Sequence, residues 1–205
     1  MTASPPFASE PAALLFRSAA VRAANRCRYQ DQVGRGHVES YFWRANDPNS
    51  ARAIWLKATI YAPLSGPPQA EVWVVVFDGP SDRVFAHKHT IPFARAVFDD
   101  DGDIRTGDCA FQWGDRGQCS GQLRQGDQAC AWQLQWRRSD GPVGDPLSLL
   151  PLDAMLTAPL PKSKLLTPLP ALEFDGTIEC FGHTLHVAGW KGMQGHNWGS
   201  EHAFE

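Results

Sequence analysis

The sequence predicts a mainly β protein, built as an antiparallel meander, sandwich or barrel with one helix near its N-terminus. Its 205 residues include 18 glycines and 16 prolines, which supply turns and divide the chain into many short elements. The 8 tryptophans and 11 phenylalanines favour strands, because large aromatic side chains pack well on a pleated surface. Several segments also alternate apolar and polar residues with the two-residue period of a strand.

Residues 9–26 predict the helix. Ser9 can cap its N-terminus through the side-chain hydroxyl, and Glu10 and Pro11 suit the first turn. The apolar side chains then recur on one helical face, at Ala12, Leu15, Phe16, Ala19 and Ala23. This stripe predicts a helix that lies against the main body of the protein.

Strands are predicted from His37 onward, and the clearest are Arg52–Ala62 and Glu71–Asp78. The first has one aliphatic face, formed by Ile54, Leu56, Ala58 and Ile60. The second is apolar on both faces, which predicts that both are covered. The other expected strands are His37–Arg44, Val84–His89, Cys109–Trp113, Gln118–Arg124, Ala129–Arg138, Ala171–Phe181, Thr184–Trp190 and His196–Phe204.

Residues 141–170 have a different character. Seven prolines interrupt this stretch, which predicts a long packed connection in place of a strand pair. Within it, Ser148–Leu156 is expected to form a short helix. Such a connection could lie over the mouth of a barrel.

Charge and composition exclude several classes of protein. The formal net charge is −3 and the isoelectric point is about 6.1, so no nucleic-acid partner is predicted. No apolar run approaches the roughly 18 residues of a membrane-spanning helix, and no secretory signal pattern occurs. The 5 cysteines form no C-x-x-C motif, which predicts reduced thiols and a cytoplasmic location. Phosphate-binding glycine loops and the G-x-S-x-G serine motif are absent from the sequence, so neither nucleotide nor serine-hydrolase chemistry is predicted.

A cluster near the C-terminus could carry chemistry. On a strand, His196, Trp198, Ser200 and His202 share one face, and Asn197 lies on the other. An imidazole beside an indole places a proton donor next to a π face that attracts cations, which suits the formation or quenching of a carbocation. The alternative is a polar strand end whose histidine and asparagine satisfy backbone groups.

The first strand offers a second candidate group. Glu39 shares one face with three ring-bearing residues, His37, Tyr41 and Trp43. Inside a barrel, this carboxyl would lie in apolar surroundings that raise its pKa and make it a proton donor. The alternative is that this face is solvated, with Val38 and Phe42 in the core.

Cys180, His183 and His186 have a spacing that suggests metal binding. A two-residue turn at Gly182 and His183 would separate these side chains and place Glu179 opposite His186. The plainer expectation is therefore a cross-strand pair, with no metal site and no cofactor.

Two blocks of sequence resemble a known family. Residues 36–45 and 189–199 are similar to lipocalin-like proteins of the hydroxyneurosporene synthase and AttH type, and the tocopherol cyclases are similar too. The second block contains Gly195-His196-Asn197-Trp198-Gly199, which resembles the G-H-N-W-G signature of the family. The linking residues 161–168 are also similar, so the resemblance covers most of residues 36–205.

The resemblance implies two packed lipocalin-like (calycin-type) β-barrels that hold a long isoprenoid or acyl ligand. It places the family's proposed catalytic histidine and tryptophan on His196 and Trp198. A further acidic residue is expected downstream of that signature, so the chain is expected to be truncated. The implied division is an N-terminal extension with a helix (1–35), a first barrel (36–140), a Pro-rich connection (141–170), and a crossover hairpin with the start of a second barrel (171–205).

Three functions are consistent with this sequence. The favoured one is the binding of an isoprenoid or acyl lipid, with ligand contacts expected at Tyr41, Trp55, Trp73, Val75, Phe77 and Asn197. A peripheral membrane contact would allow ligand exchange. The second function is acid-catalysed hydration or cyclisation of an isoprenoid, with His196, Trp198 and Glu39 as catalytic residues. The third is a scaffold whose barrel is filled by its own side chains.

Overall fold

The computed structural model describes residues 19–30, 36–100, 103–114, 116–139 and 146–200. These residues form one α-helix, α1 (Ala19–Asn25), three short 3-10 turns and twelve strands. The strands are β1 (His37–Asn46), β2 (Arg52–Ala62), β3 (Gln69–Asp78), β4 (Arg83–Pro92), β5 (Ala96–Phe98), β6 (Asp103–Thr106), β7 (Cys109–Gln112), β8 (Arg116–Gln125), β9 (Gln128–Arg138), β10 (Leu147–Ser148), β11 (Ser163–Cys180) and β12 (His183–Gly199).

The strands form a single antiparallel sheet that curls into a nearly closed barrel. Their order is β4-β3-β2-β1-β12-β11-β9-β8-β7-β6-β5, and β10 pairs with β11 outside this path. The two ends of the sheet approach each other, since a methyl group placed on Gly107 would lie 3.6 Å from His89 Nδ1 of β4. The predicted mainly β fold with an antiparallel barrel is confirmed.

Alternate side chains of each strand point into the barrel and form its core. On β2, the predicted aliphatic face of Ile54, Leu56, Ala58 and Ile60 is at most 2% exposed. The core also contains buried indole rings, from Trp43, Trp113, Trp132, Trp136 and Trp190. Full burial of a large apolar side chain contributes roughly 1.5–3 kcal/mol, so these rings are a major part of the stability.

The last two strands complete the same sheet. β11 pairs with β9 and β12, and β12 pairs with β1 along nine residue positions. The boundary expected at residue 171 therefore lies within β11. The expected strand Thr184–Trp190 and the first part of the expected strand His196–Phe204 belong to one continuous strand, β12, and residues 201–204 lie outside the described residues. Glycines allow this close pairing, because a methyl group on Gly192 would lie 2.1 Å from the backbone oxygen of Arg44.

The turn between β11 and β12 differs by one residue from the expected one. Its central residues are Phe181 and Gly182, both with positive φ, as in a type I′ turn. Cys180 consequently pairs with His183, and the predicted pairing of Glu179 with His186 is wrong. The left-handed conformation of Phe181 costs energy, but the Arg83 guanidinium stacks 4.7 Å from its ring and bonds to its carbonyl oxygen.

The two predicted helices differ from the observed structure or are described only in part. The expected helix Ser148–Leu156 is instead the short strand β10 and a 3-10 turn at Asp153–Leu156, since Pro151 interrupts the backbone hydrogen bonds of a helix. The predicted helix over 9–26 is observed in its last part, and residues 9–18 lie outside the described residues. Within the described ranges, no helix is long and apolar enough to cross a membrane.

Candidate functional site

The buried carboxylate of Glu39 is the centre of the candidate site. Its exposed fraction is 0%, and it points inward from β1. Four neighbours direct donors at it: His196 Nε2 at 2.8 Å, His37 Nε2 at 2.9 Å, the Tyr41 hydroxyl at 2.9 Å, and the backbone N–H of Arg28 at 2.9 and 3.0 Å. Such a set of donors stabilises the ionised form of a buried carboxyl group.

The pairing of β1 with β12 brings the two predicted groups together. Tyr41 lies opposite His196, and Glu39 lies opposite Trp198, although Glu39 and His196 are 157 residues apart in the chain. His196 and Trp198 share the inward face, as the two-residue period predicts. The two strand faces that the sequence identified separately are therefore parts of one site.

Both ring nitrogens of His196 have hydrogen-bond partners. Nδ1 lies 2.7 Å from the backbone oxygen of Ala24, and Nε2 lies 2.8 Å from Glu39 Oε1. The carbonyl oxygen can only accept, so Nδ1 donates to it, and Nε2 donates to the Glu39 carboxylate when the ring is doubly protonated. The ring is then an imidazolium paired with the Glu39 carboxylate. Tyr41 stacks on it at 4.2 Å and Trp198 lies at 4.9 Å, so two aromatic faces flank the positive charge.

The pKa of Glu39 contradicts the expectation from the sequence. Burial is the largest single influence and raises this pKa, but hydrogen bonds from His196 and His37, the charge of His196 and the Arg28 N–H together outweigh it. The net pKa is well below the ordinary value for glutamate. The predicted raised pKa was wrong, because the donors on β12 and after α1 were not visible in the sequence. The ionised Glu39 carboxylate accepts hydrogen bonds at neutral pH, and its catalytic role stays a prediction.

Helix α1 and the residues after it cover the site. The side-chain amides of Asn25 and Gln194 bond to each other reciprocally at 3.0 and 2.8 Å, and both residues are 0% exposed. This pair and the Ala24 carbonyl attach the C-terminal end of α1 to β12. His196 is also 0% exposed, so contact with a ligand requires α1 to move or the ligand to approach from inside the barrel.

Cys27 lies next to the carboxylate, with its Sγ 3.8 Å from Glu39 Oε2. Burial and the charge of Glu39 raise the pKa of this thiol to about 12. Cys27 is therefore a neutral thiol at physiological pH and lacks the thiolate form that nucleophilic catalysis needs.

The structure separates most of the expected ligand contacts from this site. Tyr41 belongs to it, but Trp55, Trp73, Val75 and Phe77 lie on the outer face of the sheet, between inward-facing neighbours such as Leu56 and Val74. The outer tryptophans flank the ammonium group of Lys57, which lies 5.4 Å from the ring centre of Trp55 and 4.5 Å from that of Trp73. A ligand inside the barrel would not contact these four side chains.

Asn197 also lies on the outer face. It pairs with Ser40 on β1, and its side chain points away from His196. By contrast, Gln194 lies on the inward face two residues before His196, and sequence reasoning missed it. The two-residue period could have identified Gln194, whereas no sequence signal indicated the backbone contacts of Ala24 and Arg28.

Some buried polar groups of the described barrel residues have no hydrogen-bond partner, and two of them bear on ligand binding. The Trp43 indole N–H and the Thr106 hydroxyl are buried without a hydrogen bond, although both residues are at most 2% exposed. The Trp43 ring itself is well packed, stacking on Phe111 at 4.7 Å. An unsatisfied buried donor costs about 1–3 kcal/mol, so these groups favour an additional polar atom inside the barrel.

Metal binding receives no support from the described ranges, where no group of three histidine, cysteine or acidic side chains converges. In particular, Cys180 lies opposite His183 while His186 lies opposite Thr177, so the three residues with suggestive spacing remain apart. His183 instead contacts Arg83 and Asp78.

Comparison with known proteins supports the fold. No protein-family model matches the chain, and no curated protein matches it in sequence. A solved structure of a protein assigned as AttH, from Nitrosomonas europaea, aligns with a TM-score of 0.54 and 13% identity over 83% of this chain and 53% of that one. Kievitone hydratase from Nectria haematococca aligns with a TM-score of 0.47 and 9% identity over 94% of this chain and 54% of that one.

The chain therefore spans about half the length of both solved structures. The likeness to the AttH structure shows a shared β-barrel fold, and at this low identity it shows the fold alone. The function must be argued from the residues of this chain.

Proposed function

We propose that this chain binds a long apolar ligand with one polar end, an isoprenoid or acyl lipid, inside the barrel. The observation that carries the proposal is that the Trp43 N–H and the Thr106 hydroxyl have no hydrogen-bond partner inside the barrel. A carboxyl or hydroxyl end group would satisfy one of these groups, and the apolar chain would be buried at about 25 cal/mol per Å² before the costs of binding. The cytoplasmic location of the protein stays a prediction.

The indole rings restrict the shape of such a ligand. Trp43, Phe111 and Trp136 pack closely, with ring centres 4.7 and 5.8 Å from Trp43. Stacked rings this close leave no space between them, so a ligand must displace side chains, and a narrow flexible chain displaces fewer of them than a bulky polycyclic molecule does. We therefore propose a narrow, flexible ligand.

The test is titration with oleic acid and geranylgeraniol, followed by the fluorescence of the buried tryptophans. A Trp43→Phe variant keeps most of the ring and removes the N–H donor. We expect its affinity for oleic acid to fall roughly fivefold, the worth of about 1 kcal/mol of hydrogen bonding. Hexadecane, which has no polar end, serves as the control, and its binding should be the same in both proteins.

Wild-type protein that binds none of these probes would refute the proposal and favour a barrel filled by its own side chains. Equal loss of oleic acid and hexadecane binding in the variant would show that Trp43 acts through packing. In that case, the polar-end argument fails.

The His196 imidazolium supports a second candidate function, acid-catalysed hydration or cyclisation of an isoprenoid. In this reaction, the His196 Nδ1 proton, released from the Ala24 carbonyl, is transferred to one carbon of a double bond. The cation that forms on the other carbon lies near Trp198 and Tyr41. Water or an internal hydroxyl adds to it, and its proton returns to Nδ1, so the acid is regenerated. Glu39 remains an anion and holds the ring.

Deuterium uptake tests this second function. Geranylgeraniol incubated with the enzyme in D₂O would gain deuterium at a double-bond carbon, detected by mass spectrometry. His196→Gln should abolish the uptake and leave ligand affinity within about twofold, because the glutamine keeps a polar group of similar reach. Uptake that persists in this variant would rule out His196 as the acid.

A further inference from the structure

Four of the five cysteines face the interior of the barrel, and all five are free thiols. Cys109, Cys119, Cys130 and Cys180 are at most 3% exposed and lie on β7, β8, β9 and β11. The candidate site does not use them. Buried thiols are usually inert members of a core, so a reactive one needs a specific neighbour that favours its thiolate or traps its oxidised form.

Cys130 and Cys180 lie opposite each other on neighbouring strands. β9 and β11 are antiparallel, and their pairing reaches Glu179 with Ala131, so the next position sets Cys180 beside Cys130. Opposite residues of an antiparallel pair have Cα atoms about 4.5 or 5.5 Å apart, and a disulfide needs about 4.4–6.8 Å. Both side chains also point into the core. The backbone therefore already has the separation that a disulfide requires.

The other two interior thiols lack this arrangement. Cys119 lies opposite Phe111 on β7, which is two positions along the strand from Cys109. Residues that are out of register by two positions lie about 7–8 Å apart. A disulfide between Cys109 and Cys119 would therefore require the backbone to move.

Cys180 lies in a polar environment at one end of the barrel. It is the last residue of β11 and pairs with His183, across the turn that contains the exposed Gly182. Arg83 donates a hydrogen bond to the carbonyl oxygen of Phe181, the residue that follows Cys180. A small oxidant that enters at this turn meets Cys180 before it meets the fully buried Cys130.

The surroundings favour the thiolate of Cys180. A hydrogen bond from the Cys130 thiol is the largest influence on the pKa of Cys180 and lowers it. The backbone N–H of Phe181 and the charge of Arg83 lower it as well, whereas burial and the charge of Asp78 raise it, and the net pKa is below its ordinary value. The hydrogen bond with Cys180 and burial raise the pKa of Cys130. The nucleophilic thiolate therefore forms first on Cys180.

We propose that Cys130 and Cys180 are an oxidant-reactive thiol pair, which hydrogen peroxide converts reversibly into a disulfide between β9 and β11. The Cys180 thiolate attacks one oxygen of the peroxide, the O–O bond breaks, and the released hydroxide takes up a proton to become water. The Cys130 sulfur then attacks the sulfenic acid on Cys180, and an S–S bond forms as the Cys130 proton and the sulfenic hydroxyl leave as water. Two thiols are oxidised to one disulfide, and one peroxide is reduced to two water molecules.

This reaction is independent of the proposed ligand, because it uses only the thiols and the oxidant. Small thiols such as glutathione reverse it by thiol–disulfide exchange, in which two of them are oxidised to their own disulfide. The bond would join two strands whose side chains form the core, and so restrict the opening of the barrel between them.

Peptide mapping of the whole chain tests the pair. The reduced protein is treated with hydrogen peroxide at neutral pH, the remaining thiols are blocked with N-ethylmaleimide in denaturant, and the peptides are identified by mass spectrometry without reduction. We expect one disulfide within the chain, between Cys130 and Cys180, with the mass lower by two hydrogen atoms. Dithiothreitol should remove it, and Cys27, Cys109 and Cys119 should be found blocked.

Serine variants distinguish the attacking thiol from the resolving one, because serine keeps a hydrogen-bond donor and cannot form a disulfide. In Cys130→Ser, the sulfenic acid on Cys180 has no resolving thiol, so dimedone should capture it. In Cys180→Ser, capture on Cys130 should be roughly tenfold or more slower, since Cys130 keeps its proton. Cys109→Ser, which changes another buried thiol, is the matched control and should form the disulfide at the wild-type rate.

The urea midpoint of each variant is compared with that of the wild type first, and the mapping of the wild type needs no variant. Five thiols that all stay reduced in peroxide would refute the pair, as would a disulfide between Cys109 and Cys119 or between two chains. A disulfide that forms only in urea would show that the folded protein does not bring the two sulfurs together. Faster dimedone capture on Cys130 than on Cys180 would overturn the assigned roles.

Discussion

Glu39→Gln is the most informative substitution in this protein, because it removes one charge of a fully buried ion pair and keeps the side-chain shape. His196 and Glu39 are both 0% exposed, and the ring bonds to the carboxylate at 2.8 Å. The glutamine offers the donors of His196, His37 and Tyr41 a neutral amide in place of a carboxylate. Because an imidazole can lose its second proton, the variant holds no unpaired buried cation, and we expect a loss of about 1–3 kcal/mol in the free energy of unfolding at neutral pH.

The same variant changes how stability depends on pH. The pKa of Glu39 is lowered in the folded protein from its ordinary value of 4.5. Its contribution is therefore fully present above about pH 4.5 and is lost as the pH falls from there toward the folded pKa. In that range the wild type should lose about 1.4 kcal/mol per pH unit through this group, and Glu39→Gln should lack this part of the slope.

Urea unfolding followed by tryptophan fluorescence, at several pH values from about 3 to 7, measures both effects. Glu173→Gln is the matched control, since Glu173 also pairs with two cations, Arg137 and Lys191, but at the surface. It should change stability little, because exposed ion pairs contribute little. A Glu39→Gln variant as stable as the control, with an unchanged acid slope, would refute the buried ion pair.

Three further predictions concern the backbone, the cover and the thiol. Gly192→Ala should lower the midpoint of thermal unfolding markedly, because its methyl group would lie 2.1 Å from a backbone oxygen of β1. Gly126→Ala is the control: its methyl group would meet no atom within 4 Å, so it should cost only the roughly 1–2 kcal/mol of a positive φ. Equal losses of stability in the two variants would contradict the close approach of Gly192 to β1. Asn25→Ala should speed amide hydrogen exchange in α1 and leave the barrel strands protected, and unchanged exchange would show that the amide pair does not hold the helix. Cys27, whose pKa is raised to about 12, should react slowly with iodoacetamide at pH 8 and faster in Glu39→Gln; fast labelling of the wild type would contradict the raised pKa.

The alternation of apolar and polar residues was sufficient to predict many of the strands in the sheet. β2 begins and ends at the predicted residues, and its aliphatic face is the buried one. Where a strand is apolar on both faces, as in β3, alternation cannot say which face points inward, and the contacts expected at Trp73 and Phe77 lie outside. The mixed character of the neighbouring β2 face, with Lys57 beside Trp55, was the available sign that this side faces outward.

For the candidate site too, local sequence patterns identified residues but not their tertiary contacts. His196, Trp198 and Glu39 were identified from local spacing, because neighbours on one strand face repeat every two residues. These residues lie close together because β1 pairs with β12, a strand from the other end of the chain. No local sequence pattern specifies that β12 is the partner of β1. The pKa direction of Glu39 was wrong for this reason, since its donors come from distant segments.

The amino-acid sequence by itself determined the class of fold, most strand positions and the residue types available for chemistry. These follow from local properties: turn residues, two-residue periodicity and the preference of large aromatic rings for strands. Only the tertiary structure decided that α1 covers the site and that His196 bonds to the buried Glu39 carboxylate. Those features depend on contacts between residues far apart in the chain, where burial and hydrogen-bond partners, and hence charge states, are set.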